Sequence, residues 1–318
     1  MFRQRELGKK EIILNMLTRT ETAESGVALP NKSYAGASKD AISHHYDNGI
    51  AFYKLWLGDD MYYTAAKFVD PLTDKIIHDN YKDAQDAKSK FHLDAVGASK
   101  DRSLLDIGCG WGTSLTYASR HERFSNALGL TLSEQQAGFV NSLGLPNALV
   151  LAESYEHFEP QDTFDGIITL GALEHFAKPS MKRADKIHVY EGYFSRCAEW
   201  LNKGGHLSVQ CSTWNGISRE FAERIVPSDV FPESDLAYED EVFEAAAPYF
   251  ELHHYERSMT DYILTIKYWH DRLKENREEI TALIGQEQYD FHDRYMRRVS
   301  AGFKRRRIQL SRFVFRKR

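Results

Sequence analysis

The sequence predicts an α/β protein: a doubly wound, mostly parallel seven-stranded sheet of Rossmann-like type, with a helical N-terminal cap and a lid insertion. Three observations carry that expectation. The segment Leu104-Leu105-Asp106-Ile107-Gly108-Cys109-Gly110-Trp111-Gly112 climbs through apolar residues to an acid and then breaks into glycines at alternate positions. A buried parallel strand that ends in a tight turn reads this way, because glycine allows both the turn's dihedrals and a close approach to backbone. From Ser103 onward, strand-length apolar runs alternate with helical stretches, the pattern of a parallel sheet covered by helices. Finally, 318 residues with 42% hydrophobic side chains can bury a full core.

In chain order, residues 1–40 read as a short helix and then a polar stretch. The only apolar stretch at the start is Ile12 to Leu17, which lacks the core and cleavage site of a signal peptide. From Ser43 to about Val96 the pattern is helical and aromatic, with Tyr46, Phe52, Tyr53, Trp56, Tyr62, Tyr63 and Phe68, so residues 1–100 are expected to form the cap. Residues 101–318 form the core. Its strands are expected at Ser103–Ile107, Ala127–Leu130, Ala148–Ala152, Phe164–Leu170 and His206–Gln210, and its helices at Thr113–Ser119, Glu134–Leu143 and Val189–Leu201. Lys203-Gly204-Gly205 reads as a helix stop and turn. The stretches 177–194 and 212–240, the latter with Pro227 and Pro232, suit lid segments. Glu153, Arg219, Glu220, Glu223 and Arg224 are read either as lining the lid or as solvated. A strand at Phe250–Tyr255, late helices within 258–303 (Thr260–Ile284 and Tyr289–Phe303) and a last strand at Ile308–Phe315 complete the chain.

Net charge is −5, but residues 304–318 hold eight Lys or Arg and no acid, which leaves the rest of the chain at −13. A body this acidic argues against nucleic acid as partner. The basic tail has two readings: a closing strand, or a patch for anionic headgroups making peripheral membrane contact. Cys109, Cys197 and Cys211 are odd in number and widely spaced, so neither a disulfide frame nor a metal site is expected, and a cytoplasmic setting is the default. A homo-oligomer is left open.

The glycine turn is not the dinucleotide fingerprint. Its spacing is G-x-G-x-G, and the next strand, Ala127 to Thr131, has no acid at its end. D-x-G-x-G-x-G is the form that S-adenosylmethionine (SAM) enzymes use.

Six segments in order resemble the cyclopropane-fatty-acid synthases and mycolic acid methyltransferases: SHHYDNGIAFYKLWLGDDMYYTAAKF (43–68), LLDIGCGWG (104–112), GLTLSEQQ (129–136), LGALEHF (170–176), FPESDL (231–236) and DYILTIKYW (261–269). The resemblance implies a class I SAM-dependent methyltransferase. Its donor site would use Tyr63 and Thr64 from the cap, Asp106, Gly108, Gly110 and Gly112 at the turn, Thr131, Leu132 and Gln136 after the second strand, and Tyr155 and Glu156 near adenine. Tyr155 stands where the family often has Trp.

Glu174 is the leading acid–base candidate. It follows the strand GIITL and the small-residue turn Gly171-Ala172, which places it at the carboxyl edge of the sheet. His175 is expected to titrate near neutrality, and Tyr262 matches the family's active-site Tyr. The resemblance also implies a bicarbonate ion serving as base, held by Cys, Glu, His and Tyr, but here Ala65 and Gln210 stand for the Cys and His. Simple methyl transfer to an olefinic carbon of a lipid-like or specialised small-molecule acceptor is therefore the expected reaction. The alternatives are N-methylation of a small amine, cyclopropane formation with a rebuilt base site, and a SAM-binding regulator without catalysis.

Overall fold

The computed structural model describes residues 35–38, 49–225 and 233–318. The expected N-terminal helix, residues 43–48, Pro227 and Pro232 lie outside them, as do the side chains of Glu223 and Arg224. Helices α1 (Ile50–Leu57) and α2 (Tyr81–Ala95) precede the sheet. Five parallel strands follow, β1 (Ser103–Ile107), β2 (Asn126–Leu130), β3 (Ala148–Leu151), β4 (Phe164–Leu170) and β5 (Leu201–Trp214), with α3 (Thr113–Arg120) after β1, α4 (Glu134–Ser142) after β2 and α5 (Arg183–Trp200) after β4. The chain continues through α6 (Arg219–Ile225), β6 (Ala237–Tyr238), α7 (Glu239–Ala246), β7 (Phe250–Arg257), α8 (Met259–Glu275), α9 (Arg277–Lys304) and β8 (Ile308–Lys317). The sheet order is β3-β2-β1-β4-β5-β8-β7, the expected seven strands, and two-residue β6 adds to the far end of β5. β8 lies between β5 and β7 and runs antiparallel to both, the one reversed strand of the sheet among the described residues.

Local chemistry starts several helices. The side chains of Asn80, Ser133 and Ser258 accept hydrogen bonds from the amides of Asp83, Gln136 and Asp261 and so cap α2, α4 and α8. Between α1 and α2, residues 58–80 are irregular, with one bridge between Val69 and Ile76, where helix was expected throughout the cap. Gly58, at φ 87°, stops α1. The aromatic residues there were spaced for a tertiary cluster: Phe52, Tyr53, Trp56 and Met61 pack with Trp111, Ile266 and Trp269.

Lys203-Gly204-Gly205 is not a helix end. It lies inside β5, where pairing with β4 jumps from Phe164–Leu201 to Gly166–His206 and Gly204 takes φ 74°. The local turn is real, but the sheet absorbs it as a bulge. Residues 177–194 mostly enter α5, whose Ile187, Tyr190, Tyr193 and Phe194 are buried in the main core, so this stretch is scaffold rather than lid. The late helices divide at Asn276, whose amide donates to Leu55 O and Arg272 O. A second break falls inside α9 at Gly285, with φ 83° and ψ 159°.

The basic tail is a strand, and its Arg312 is fully buried. Its guanidinium donates to Gln210 Oε1 (2.7 Å), Glu256 Oε1 (2.9 Å), Asp261 Oδ2 (2.8 Å) and Ala66 O (2.9 Å). Asp261 Oδ1 in turn accepts the amides of Phe68 and Val69 at 2.6 and 3.0 Å, and Lys67 pairs with Glu256. One cation thus ties β8, β7, β5, α8 and the segment after α1. Replacing Arg312 with Met leaves the fully buried Asp261 carboxylate without its cation and takes one of two from Glu256, and is expected to lower unfolding free energy by about 3–5 kcal/mol. Replacing exposed Arg316 with Met should change it by less than about 0.5 kcal/mol, both measured by denaturant titration.

Candidate active site

The loops after β1, β2 and β4 leave the carboxyl edge of the parallel strands, the edge where open α/β sheets bind ligands. Three cavities meet there, and Gly171 lines all of them. The first, of about 100 Å³, is bounded by Gly108, Gly110, Thr131, Leu132, Gln136, Tyr155 and Glu156. The second, about 60 Å³, lies among Tyr63, Thr64, Asp106, Gly108, Gly110 and Gln136. The third, about 160 Å³, is largely apolar and holds Glu174 and Tyr262.

At the glycine turn, close approach matters more than amide donation. The amides of Gly108 and Cys109 both donate to Leu130 O at 2.9 Å, so neither is offered to a ligand. Gly108 has φ 77°, and a Cβ there would strike the Cβ of Ala172. Gly112 was expected at the donor, but it lines none of the three cavities. It starts α3 in the left-handed region and packs against Val140 of α4, which is why a side chain would not fit. The Thr131 hydroxyl donates to Gln136 Oε1 at 2.6 Å and fixes that amide beside Gly110.

Tyr155 is buried, with its ring centre 4.5 Å from that of Phe176 and 5.5 Å from that of Tyr193. Glu156 lines the same cavity, but its Oε1 accepts the amide of Ala35 at 3.0 Å, so it also anchors a strap. That strap, residues 35–38, was not expected at the site. Gly36 and Ala37 line the cavity, and Ala37 N donates to His175 O at 2.8 Å. No local motif marks it, because its contacts lie more than a hundred residues away. Glu153 also borders this cavity rather than the lid.

Glu174 sits in a 3-10 turn, Leu173–His175, directly after β4. Its Oε1 accepts the amide of Ser212 at 2.7 Å, while its buried Oε2 has no partner. Burial is the main cause that pushes its carboxyl up to about 7. His175 departs from expectation: burial lowers it to about 4, so it is neutral near pH 7 and not a titrating base. Its Nδ1 lies 2.7 Å from Ser234 Oγ, and it borders both the first and the third cavity. Tyr262 packs on Phe303, with centroids 4.5 Å apart, and edge-on to Trp269.

The residues present do not suit a bicarbonate ion. Ala65 offers only a methyl group. Gln210 spends its amide nitrogen on Ala65 O (3.2 Å) and its oxygen on Arg312. Burial pushes the neighbouring Cys211 thiol up, so it stays protonated.

A glycine turn on a parallel sheet, a polar post-strand loop, an aromatic wall and an adjoining carboxylate pocket define a SAM-dependent methyltransferase. The chain matches the mycolic acid cyclopropane synthetase family over residues 35–313 and belongs to that family. It is 28% identical over 295 residues to cyclopropane mycolic acid synthase 2 of Mycobacterium tuberculosis, covering 86% of this chain and 93% of that protein. The solved structure of mycolic acid cyclopropane synthase CmaA1 complexed with S-adenosylhomocysteine (SAH) and CTAB superimposes with a TM-score of 0.77 at 25% identity, covering 89% of this chain and 99% of that one. Coclaurine N-methyltransferase shares the fold at a TM-score of 0.69 and 16% identity, covering 98% of this chain and 88% of that one. SAM is the cofactor, and the protein is a methyltransferase. Among the described residues, no helix is long and apolar enough to cross a membrane.

Gly108→Ala is expected to weaken SAH binding by at least about 10-fold, because the added carbon must displace Ala172 at a positive φ. Isothermal titration calorimetry measures it.

Proposed function

We propose that this enzyme transfers the methyl group of SAM to an olefinic carbon of a lipid-like acceptor, with Glu174 as the base that ends the reaction. One observation carries the reading: Glu174, whose buried Oε2 has no hydrogen-bond partner, lines a cavity that mixes polar His175, Ser234 and Asp235 with an apolar wall of Ala65, Leu236, Val299, Phe303 and Leu310. Such a wall suits a hydrocarbon segment. The name of the Mycobacterium tuberculosis relative supports the same acceptor class.

Bound at the sheet edge, SAM supplies an electrophilic methyl group on a sulfonium. Tyr63, Thr64 and Gly171 border both donor and acceptor cavities and hold the two reactants in line without water between them. As the alkene's π electrons form the new C–C bond, positive charge develops on the neighbouring carbon. The rings of Tyr63 and Tyr262 and the Glu174 carboxylate are placed to stabilise it. Glu174 Oε2 then takes a proton from a carbon beside the cation, and the C–H electrons close a double bond. A carboxyl near 7 is half-ionised at neutral pH, which suits a base. With the thiol and imidazole of the bicarbonate set replaced by Ala65 and Gln210, ring closure is not the expected outcome. The free buried cysteines suit a reducing compartment such as the cytoplasm.

Incubation with labelled SAM and lipid extracts, followed by mass spectrometry, tests the reading. The expected product carries one extra carbon as a methyl branch and keeps its double bond. Label on nitrogen, or a ring in place of the double bond, would overturn it. Glu174→Gln can still accept the Ser212 amide, so SAH affinity should hold within about threefold while kcat falls on the order of 100-fold. In the parent enzyme, kcat should rise as pH passes through about 7 and the carboxyl ionises. That limb should vanish in the variant.

A further inference from the structure

We propose that Lys88 is a donor-positioning residue: acting through the Thr64 hydroxyl, it presents a positive field and a committed O–H donor to the carboxylate at the aminoacyl end of SAM. The inference rests on SAM as donor and concerns a residue outside the cavities themselves. Lys88 lies on α2 and is fully buried. Its Nζ donates to Thr64 Oγ1 at 3.0 Å and sits 4.5 Å from the centre of the Tyr62 ring. Among the described residues, it makes no ion pair.

An ammonium can only donate. The Thr64 oxygen must therefore accept from Lys88, which leaves the Thr64 proton to be given to something else. Thr64 lines the small cavity beside Asp106. Its own carbonyl is held by Gln85 Nε2 at 3.0 Å, so α2 fixes this residue at two points.

Asp106 lines the same cavity and is also buried. It makes no hydrogen bond or ion pair among the described residues. Burial is the main cause that brings Lys88 down to about 7 and raises Asp106 to about 7, and the opposite charge of the other group works against each shift. The compartment thus has a cation behind one wall and an anion in another. An amino-acid group, carrying one charge of each sign, completes both. Its ammonium goes to Asp106, and its carboxylate goes to the Thr64 hydroxyl backed by Lys88. The N-terminal turn of α3, through Thr113 and Ser114, adds to the same positive side.

The test uses calorimetric affinities for three probes: SAH, decarboxylated SAH, which keeps only the ammonium, and 5′-methylthioadenosine, which has neither charge. Lys88→Met should weaken SAH by about 10- to 100-fold, the range of a lost charge-assisted hydrogen bond. The other two probes should change by less than about threefold. Thr64→Val, with Lys88 intact, should give the same pattern and decides the matter if the first variant fails to fold. Equal losses for all three probes would mean a merely structural lysine and overturn the proposal, as would unchanged SAH affinity. If the parent protein itself bound none of the three, the donor assignment would fall instead.

Discussion

The buried guanidinium of Arg312 is the interaction on which the site's geometry depends. An isolated charge in a protein interior is costly, and this one is tolerated because its donors meet two carboxylates, an amide and a carbonyl. Those acceptors come from four separate parts of the chain. Ala66 O and the amides held by Asp261 fix the segment after α1, which carries Tyr63, Thr64 and Ala65. Gln210 fixes the wall of the acceptor cavity. Donor grip, acceptor shape and the C-terminal strand therefore share one electrostatic anchor.

The same anchor explains why Gln210 is not an idle replacement for an imidazole. A side-chain amide can donate on one side and accept on the other, and here both ends are used. A protonatable ring in that place would face a permanent cation. With both ends of the Gln210 amide engaged and Ala65 offering no polar atom, neither can hold an ion in the cavity, whereas Glu174, which lines it too, keeps a buried oxygen without a hydrogen-bond partner.

Much of this was legible in the sequence, for a reason. β1 and β4 begin and end where their apolar runs do, because a doubly covered strand must be apolar throughout. The donor turn was legible because its constraint, glycine at close approach, lies within nine residues. What escaped notice depends on distant partners. Arg312 looks like any residue of a basic tail until Glu256 and Asp261 fold beside it. The strap at residues 35–38 shows nothing until His175 and Glu156 are in place. His175 was read by its chemistry alone, and burial, which sequence does not display, removes its charge. Lys203-Gly204-Gly205 carries a true local signal, but the sheet on both sides continued through it.

Gly171 lines all three cavities at the sheet edge and takes φ 72°. A side-chain carbon at that position would come within 2.9 Å of Thr64 Cγ2. Glycine at the place where the three cavities meet therefore leaves room that any other residue would have to take from Thr64.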